Sequence, residues 1–428
     1  MIKRLALKNI GPAAKMELEF SQRLNLLTGD NGLGKSFLLD IAWWSLTRRW
    51  PREVNSRLTS GGMAMPSQEG EATIEFSFTS KSREESYTSQ FVRKEQAWKG
   101  RPGRPANPGL VLYAMTDGSF AVWDPHRNYW LPQKNGEDIQ ERTPAYVFSP
   151  SEVWDGLAGA GNASLCNGLI RDWASWQKEN KKPYQQLKAV LKALSASDAE
   201  VMEPGELTRL GLDDVRDIPT LRMPYQKDVP VVHASSGMRR IMALAYVLVW
   251  AWEEHKKAAK LLDEPVTKQI TFLVDEIEAH LHPGWQRRII PTLMGVMTNL
   301  NKQTAVQLIT ATHSPLVMAS VEPSFDEAKD AWFDLDFIRK KVVLSHREFE
   351  KQGEVNNWLL SEAFDLASAR SIEAEALLEK ASKLLASDKA PSKAKLKDIH
   401  NQLVEALNPR DPFLFRWRAI CERKGWMQ

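Results

Sequence analysis

The chain has 428 residues, of which 43% are hydrophobic and 26% charged, a composition typical of a globular protein with room for two or three domains. A net charge of +3 does not mark the whole chain as a nucleic-acid binder, and no apolar run reaches the roughly 18 residues of a membrane-spanning helix. Only two cysteines, Cys166 and Cys421, and an N-terminus without the apolar stretch of a signal peptide predict a protein of the reducing cytoplasm.

The predicted elements alternate between strands and helices. Residues 1–60 have the pattern of a two-stranded hairpin, a short buried strand and a helix. Residues 70–135 alternate apolar and polar side chains between turns rich in glycine and proline, which predicts antiparallel strands. Residues 167–194 are helical in pattern, and residues 231–345 contain a long helix, a buried strand, a second helix and further strands, before a mostly helical final segment. Short strands between helices predict an α/β fold around a central sheet.

The stretch GDNGLGKS fits the pattern G-x-x-x-x-G-K-[ST] without a mismatch, and it lies between a predicted buried strand and a predicted helix. Its glycines let successive N–H groups turn inward, and the helix N-terminus adds a positive end that favours phosphate. We expect Lys35 to reach the β- and γ-phosphates of ATP and Ser36 to ligate Mg²⁺. The predicted nucleotide-binding residues are Gly29, Asp30, Asn31, Gly32, Leu33, Gly34, Lys35, Ser36 and Phe37.

The apolar run ITFLV ends in two acids, Asp275 and Glu276. A carboxylate at the C-terminal end of such a strand lies beside the phosphate loop, so we expect Asp275 to bind Mg²⁺ and Glu276 to polarise the attacking water. Taken without the loop, two acids at this place are also typical of a helix N-cap.

Two further motifs flank Asp275. Ser235, Ser236 and Gly237 open the long helix, with Ser236 39 residues before Asp275, and His313 ends a predicted strand 38 residues after it. Serine hydroxyls, a glycine N–H and a helix N-terminus together form an anion-binding tip, although S-S-G at a helix start is more commonly a plain N-cap. A lone histidine at a strand end is likewise more often structural.

The order of these motifs, including the run DEIEAHLHP from Asp275 to Pro283, resembles that of ABC-type ATPases of the SMC/RecF/OLD group. The resemblance implies an ABC-type P-loop NTPase head with a mixed sheet and flanking helices. It also implies a homodimer, or a larger assembly, in which ATP is held between two heads. Residues Ser235–Gly237 would then contact the γ-phosphate held by the other copy, and Lys35, Glu276 and His313 would be catalytic, with His313 as the switch histidine.

On this resemblance we divide the chain into four predicted parts. Residues 1–158 form the N-terminal half of the head, with the loop and an antiparallel β-subdomain, and residues 159–230 form a helical insertion or lid. Residues 231–345 form the C-terminal half of the head, and residues 346–428 form a helical C-terminal extension.

The sequence departs from the family pattern at several places. The glutamine of the Q-loop is not identifiable, and Ser149, Ser151 and Glu152 stand where it is expected. No aromatic residue for stacking on adenine is evident, so the hairpin around residues 8–11 is the candidate for packing on the base. Alternatively, the three residues Glu278, His280 and His282 suggest a metal site, but the family uses this segment for contact between subunits.

The chain lacks the long coiled-coil arm of SMC proteins, and it offers little for a nuclease. A Toprim nuclease needs a D-x-D, which Asp334 and Asp336 offer, but the segment after them is too short and helical for that fold, and the required glutamate strand is missing. Residues 354–381 resemble stand-alone ATPases of anti-phage islands, of the PtuA type from Septu and retron systems, which work with a separate HNH nuclease. The resemblance implies an ATPase that restrains or delivers a nuclease encoded nearby, with the helical tail from about Ser368 as the partner surface.

The distribution of charge is also compatible with a different class of function. Residues 381–428 carry ten Lys/Arg against five Asp/Glu, and a second basic stretch runs from Arg93 to Arg104. A RecF-like DNA-repair clamp would use such segments to bind nucleic-acid phosphates, with strong salt dependence. Trp98 and Trp417 lie near these charges and are open to stacking on a base or a partner. An ABC transporter ATPase fits less well, since such subunits are shorter between the loop and the signature.

Overall fold

The computed structural model describes residues 1–80, 83–100, 106–128, 131–132, 138–139, 143–159, 161, 163–300, 303–364, 366, 368–387 and 389–426. The chain forms two compact units, Met1–Val355 and Asn356–Gln428. The first contains the sheets and the second consists of helices.

The strands are β1 (Ile2–Lys8), β2 (Lys15–Glu19), β3 (Leu24–Gly29), β4 (Thr73–Ser80), β5 (Arg83–Val92), β6 (Ala97–Trp98), β7 (Leu110–Ala114), β8 (Phe120–Trp123), β9 (Leu131–Pro132), β10 (Asp138–Ile139), β11 (Tyr146–Phe148), β12 (Leu157–Ala158), β13 (Ser164–Cys166), β14 (Glu203–Pro204), β15 (Thr220–Arg222), β16 (Asp228–Pro230), β17 (Gln269–Asp275), β18 (Ala305–Ala311), β19 (Asp330–Ile338) and β20 (Lys341–Arg347). The helices are α1 (Lys35–Thr47), α2 (Pro51–Val54), α3 (Pro150–Asp155), α4 (Leu169–Glu179), α5 (Lys182–Ala193), α6 (Ser236–Leu261), α7 (Pro283–Gln286), α8 (Ile289–Leu300), α9 (Pro315–Val321), α10 (Val355–Leu359), α11 (Ile372–Ala386), α12 (Lys393–Ala406) and α13 (Pro412–Arg423).

An eight-stranded mixed sheet forms the centre of the first unit, in the order β11-β8-β7-β17-β18-β3-β19-β20. Its five middle strands, from β7 to β19, run parallel. Antiparallel strands lie at both edges, with β8 and β11 on one side and β20 on the other. All seven residues of β17 are buried, as expected for a strand with helices on both faces. The carboxyl ends of the parallel strands meet at one edge, where their loops can form a shared site. The predicted α/β class and mixed sheet are confirmed.

A five-stranded antiparallel sheet, β2-β1-β4-β5-β6, lies against α1. It shares with that helix a core that includes Trp44, Phe76 and Trp98. The alternating pattern of residues 70–135 predicts antiparallel strands, and β7 does pair antiparallel with β8. On its other side β7 pairs in parallel with β17, which the pattern does not predict, and all five of its residues are buried, as is typical of a central strand.

The region before the long helix α6 is not helical throughout. Besides α4 and α5 it contains the three-stranded antiparallel sheet β14-β15-β16. The helical pattern that follows Pro283 corresponds to two helices, α7 and α8, separated by Arg287 and Arg288.

The second unit has its own apolar core between α11, α12 and α13, to which Leu396, Ile399 and Trp417 contribute. Trp417 is fully buried there, and the indole N–H of Trp98 donates to the carbonyl of Ala64 at 2.9 Å in the core of the first unit. Neither ring is therefore available for stacking on a base or a partner.

Among the described residues, no helix combines the length and the apolar character that crossing a membrane requires.

Candidate functional site

The phosphate loop connects β3 to α1 at the carboxyl edge of the sheet. Gly29 and Gly34 have φ values of 121° and 103°, which residues with a side chain rarely adopt. A Cβ on Gly29 would lie 2.2 Å from the carbonyl oxygen of Leu335, so glycine is also required by the close approach of β19. Gly34 caps α1 without a side-chain hydrogen bond, which leaves the first N–H groups of the helix to an anion.

Lys35 is buried within the loop that it follows. Its amine donates to the carbonyl oxygens of Gly29 and Asp30 at 2.7 and 2.8 Å. Burial lowers the pKa of the amine, and the carboxylates of Glu276 and Asp275 oppose that shift. The charged amine of Lys35 is therefore placed to donate to phosphate oxygens in place of the loop carbonyls.

The turn between β1 and β2 packs on the start of α1. A Cβ on Gly11 would lie 2.4 Å from the ring of Phe37, and one on Gly34 would lie 3.0 Å from Pro12. The hairpin that we considered for the nucleotide base is thus next to the phosphate loop, and Phe37 is its contact.

The carboxyl group of Asp275 lies at the end of β17, buried beside the start of α1. Its Oδ2 accepts a hydrogen bond from the Thr116 hydroxyl at 2.6 Å. Burial raises the pKa of this carboxyl, while hydrogen bonds from Thr116 and Ser36 act to lower it. Its Oδ1 is buried without a hydrogen-bond partner in the described chain. An unsatisfied carboxylate oxygen beside a serine hydroxyl fits a hydrated magnesium ion, which binds through one or two protein oxygens.

Glu276 and His313 face each other across the ends of β17 and β18. The Oε1 of Glu276 lies 3.5 Å from the Nε2 of His313. Glu276 adopts a left-handed conformation with φ 45°, and its N–H donates to the carbonyl of Ala311 at 3.1 Å. Burial, followed by the charge of Lys35, lowers the pKa of His313. The loop, the two acids and the histidine therefore come together at one edge.

Glu278 positions this histidine rather than a metal. Its Oε1 accepts from the Thr312 hydroxyl at 2.8 Å and from the N–H of His313 at 2.6 Å, and burial raises its pKa. His282 caps α7 by accepting from the N–H of Gly284, and His280 is exposed. The three residues of the alternative metal site do not converge, and the described part of the chain contains no cluster of three or more His, Cys, Asp or Glu suited to a metal.

The predicted signature residues begin α6. Ser235 caps the helix by accepting from the N–H of Met238 at 3.4 Å, and both Ser235 and Ser236 are exposed. Gly237 is buried against the turn after β17, where an added Cβ would lie 2.7 Å from the carbonyl of His280. The serine hydroxyls are thus open to solvent at the end of a long helix.

Sequence reasoning missed two residues of this site, Thr116 and Arg240. The guanidinium of Arg240 donates to the carbonyls of Thr116 at 2.7 Å and of Asp275 and Glu276 at 3.2 Å each. It thereby ties the first turns of α6 to the carboxyl ends of β7 and β17. Two features of the sequence could have indicated these residues. Arg240 lies one turn after Ser236, and Thr116 begins the turn TDG that follows the apolar run of β7.

The residues considered in place of the Q-loop glutamine lie elsewhere. Ser149 and Glu152 form the capping box of α3, and Glu152 also accepts from Asn55 at 2.6 Å and pairs with Arg57 at 2.8 Å. They follow β11, which β8 and β7 separate from β17. Thr116, which follows the direct neighbour of β17, occupies the position beside Asp275 instead.

The two acids of the D-x-D pattern connect β19 to its neighbours. Asp334 accepts from the Thr28 hydroxyl of β3 at 2.6 Å, and Asp336 pairs with Arg347 of β20 at 2.7 Å. In the basic stretch, Arg93 donates to the carbonyl of Gln68, and residues 101–105 lie outside the described chain.

Comparison with known proteins identifies the family of this chain. A family model described as "AAA domain, putative AbiEii toxin, Type IV TA system" matches residues 24–319. This range contains the loop, the signature, both acids and His313. With the strand order, the match confirms the predicted P-loop ATPase head of the ABC type.

Two curated relatives match parts of the chain. One is "Retron Ec83 probable ATPase" from Escherichia coli, 28% identical over 155 residues, which are 36% of this chain and 26% of that protein. The other is "Retron Vc95 probable ATPase" from Vibrio cholerae serotype O1 biovar El Tor, 40% identical over 60 residues, or 14% and 10% of the two chains. The matched regions thus span about a quarter and a tenth of the length of these relatives.

Among solved structures, the SMC head domain from Thermotoga maritima aligns with 81% of this chain and 99% of its own, at a TM-score of 0.39 and 16% identity. An SMC head bound to the C-terminal winged-helix domain of ScpA aligns with 82% and 98%, at a TM-score of 0.42 and 16% identity. Both TM-scores are below 0.5, so these likenesses carry no weight for function.

Proposed function

Because the chain belongs to the AAA-domain family that matches residues 24–319, we propose that it is an ATPase whose two copies join head to head around ATP and thereby regulate a partner nuclease in bacterial antiviral defence. The main supporting observation is that the predicted site residues lie in two separate groups. The phosphate loop, Asp275, Glu276 and His313 meet at one edge, while Ser235 and Ser236 at the start of α6 face solvent. Such exposed anion-binding groups suit the γ-phosphate held by a second copy.

The chain's own residues divide the work of hydrolysis. Lys35 and the N-terminus of α1 bind the phosphates, and Ser36 and Asp275 would hold a magnesium ion. That ion, when bound, supplies positive charge that neutralises the phosphate oxygens. Glu276 accepts a proton from the attacking water, and His313, whose Nε2 lies 3.5 Å from the Oε1 of Glu276, would contact the γ-phosphate. Glu278 keeps His313 in place through its N–H.

Dimerisation would follow from the γ-phosphate being bound by both copies. ATP stabilises the joined heads and hydrolysis releases them, so the population of dimers reports the nucleotide state. The restrained nuclease, of HNH type and encoded nearby, would respond to that change, with falling ATP or phage DNA as the trigger. The names of the two retron ATPase relatives support the defence setting.

The decisive variant is Glu276→Gln, which we expect to bind ATP, to hydrolyse it at least about 100-fold more slowly, and to accumulate as an ATP-dependent dimer. Turnover, nucleotide affinity and mass by light scattering are measured on the full chain. Lys35→Ala is the control without ATP binding, and Ser236→Arg should bind ATP as a monomer yet neither dimerise nor hydrolyse it. Normal turnover by Ser236→Arg would exclude the composite site.

The partner is tested by expressing the chain together with the neighbouring open reading frame. We expect an HNH nuclease to co-purify with the chain, and Lys35→Ala to change its nuclease activity. A neighbour without a nuclease motif, or a nuclease indifferent to Lys35, would refute the regulatory role while leaving the ATPase intact.

A DNA-binding clamp is a second candidate, and the second unit supplies the observation that favours it. Lys393, Lys395 and Lys397 on α12 and Arg416 and Arg418 on α13 are all exposed. If this surface binds duplex DNA, affinity should fall steeply between 50 and 200 mM salt, by roughly ten-fold or more for a few phosphate contacts. Weak binding that is independent of Lys393→Glu/Lys397→Glu would exclude it.

A further inference from the structure

The hairpin formed by β19 and β20 extends past the phosphate loop. β19 is in register with β3 as far as Leu335, which lies opposite Gly29, and the hairpin then continues from Asp336 to Val343. Arg339 and Lys340 form its two-residue turn, with φ values of 49° and 64°. Three further residues of strand place this hairpin tip roughly 10 Å beyond the end of β3.

The surface of the hairpin tip is both apolar and basic. Phe337, Ile338 and Val343 are 61%, 49% and 37% exposed, although strands usually bury such residues. Arg339, Lys340 and Lys341 are exposed as well, and none of them forms an ion pair with a described residue. An exposed apolar patch beside unpaired charge is typical of an interaction surface.

The same chain carries a surface of the opposite charge. In the loop from Leu210 to Val215, which we call the acidic loop, Leu212 is fully exposed and Val215 is 74% exposed. Asp213 between them is exposed and has no ion pair in the described chain, whereas Asp214 pairs with Arg216. Residues 198–228 contain eight Asp/Glu and four Lys/Arg, so the region is acidic as a whole.

A strand pair links the acidic loop to the segment that precedes the signature. Thr220, a few residues after the loop, pairs with Pro230, which precedes Ser235 by five residues. In the proposed dimer, Ser236 of one copy lies at the phosphate loop of the other. Of the two strands next to β3, which are β18 and β19, β19 is the one whose hairpin extends past that phosphate loop.

We propose that the acidic loop of one copy docks on the hairpin tip of the second copy when ATP joins the heads. The docking rests on the proposed function, because it takes place within that dimer. Leu212 and Val215 would cover Phe337 and Ile338, and Asp213 would pair with the basic turn. A nucleic acid fits this arrangement less well, because the acidic loop would repel its phosphates.

Crosslinking between copies tests the proposed contact. Leu212→Cys in one copy and Ile338→Cys in a second, differently tagged copy are mixed in the Glu276→Gln background and treated with a short bismaleimide. The native Cys166 and Cys421 are buried and do not compete. We expect an ATP-dependent heterodimer band. Leu261→Cys, 83% exposed at the far end of α6, is the matched control and should not crosslink to Ile338→Cys.

Charge reversal tests the energetics. Lys340→Glu/Lys341→Glu and, separately, Asp213→Lys should each weaken ATP-dependent dimerisation by about 3- to 10-fold, as expected for exposed charge pairs. Mixing the two variants should restore the affinity of dimerisation. In a mixed dimer, the reversed acidic loop of one copy meets the reversed hairpin tip of the other at one contact, and the second contact has its original charges. ATP binding by the monomer should be unchanged in both.

The outcomes separate this inference from the function on which it rests. No ATP-dependent dimer of Glu276→Gln would overturn both. A dimer that forms without the 212–338 crosslink, or with equal crosslinking to the Leu261→Cys control, would overturn the docking alone. Reversal of Lys340 and Lys341 that spares the dimer but abolishes binding of a labelled single-stranded oligonucleotide would overturn it in favour of a nucleic-acid surface.

Discussion

The two oxygens of a single carboxyl group, that of Asp275, have different surroundings. Oδ2 accepts the Thr116 hydroxyl at 2.6 Å, whereas Oδ1 is buried without a hydrogen-bond partner among the described residues. Since one oxygen is held by Thr116, which follows β7, the rotation of the carboxyl group is restricted and the other oxygen remains available beside Ser36. Thr116 is therefore a positioning residue for the proposed magnesium site.

Thr116→Val keeps the shape of the side chain and removes the hydroxyl. We expect ATP turnover to fall by about 10- to 150-fold at low Mg²⁺, which corresponds to the loss of one hydrogen bond to a charged group, and to recover in part as Mg²⁺ is raised. Turnover against Mg²⁺ concentration is the measurement. Thr116→Ser keeps the hydroxyl and should behave like the parent protein; a Val variant with the parent's Mg²⁺ dependence would show that Thr116 does not position Asp275.

At the scale of elements, the seam between β3 and β19 combines main-chain pairing with buried polar contacts. The Thr28 hydroxyl donates to Asp334 at 2.6 Å and accepts from the indole N–H of Trp332 at 2.7 Å. Burial, opposed by the Thr28 hydrogen bond, raises the pKa of Asp334 to about 6. The strand that carries the phosphate loop is thus joined to its neighbour by a carboxyl group that resists ionisation.

The raised pKa of Asp334 predicts a pH dependence of stability. Because the folded protein binds this proton more tightly than the unfolded chain, whose Asp titrates near pH 3.8, the free energy of unfolding should fall as pH rises from about 4 to about 6. Two pKa units correspond to up to about 3 kcal/mol. Asp334→Asn, which can still accept from Thr28, should flatten this part of the profile.

Urea unfolding between pH 4 and 8 measures the effect. The exposed Asp213→Asn is the matched control and should keep the slope of the parent. An unaltered slope in Asp334→Asn would assign the pH dependence to other groups.

Most elements of the site were predictable because their signals are local. A loop pattern between strand and helix, acids after an apolar run, and a serine pair at a helix start are each set by neighbouring residues. The parallel pairing of β7 with β17 could not be predicted in this way, because it joins residues some 160 positions apart and depends on the arrangement of the whole sheet. Thr116 and Arg240 were missed for the same reason: their roles come from contacts to Asp275 across the fold, which one-dimensional spacing does not contain.

At the scale of the whole molecule, the second unit has a core of its own, made of residues from α11 to α13 and their flanks. Trp417, the largest side chain in this core, is fully buried. A small helical unit depends strongly on such a residue, since its total stability is a few kcal/mol.

Trp417→Ala should therefore unfold the second unit selectively, because truncation of a buried tryptophan costs about 3–5 kcal/mol. We expect faster hydrogen exchange in residues 372–423 and unchanged ATP binding by the first unit. Phe415→Ala, 59% exposed on the same helix, is the control and should leave exchange unchanged. Loss of ATP binding in Trp417→Ala would show that the first unit depends on the second.

The contacts of Arg240 have a mechanical consequence. The guanidinium of Arg240 donates to carbonyls at the carboxyl ends of two strands, while the backbone of Arg240 lies in the first turns of α6. The acceptors of these hydrogen bonds are main-chain carbonyls, so the contact does not depend on the protonation of an acidic side chain. We therefore expect a displacement of the exposed serines to be transmitted through α6 and Arg240 to the strand ends that carry Asp275 and Glu276.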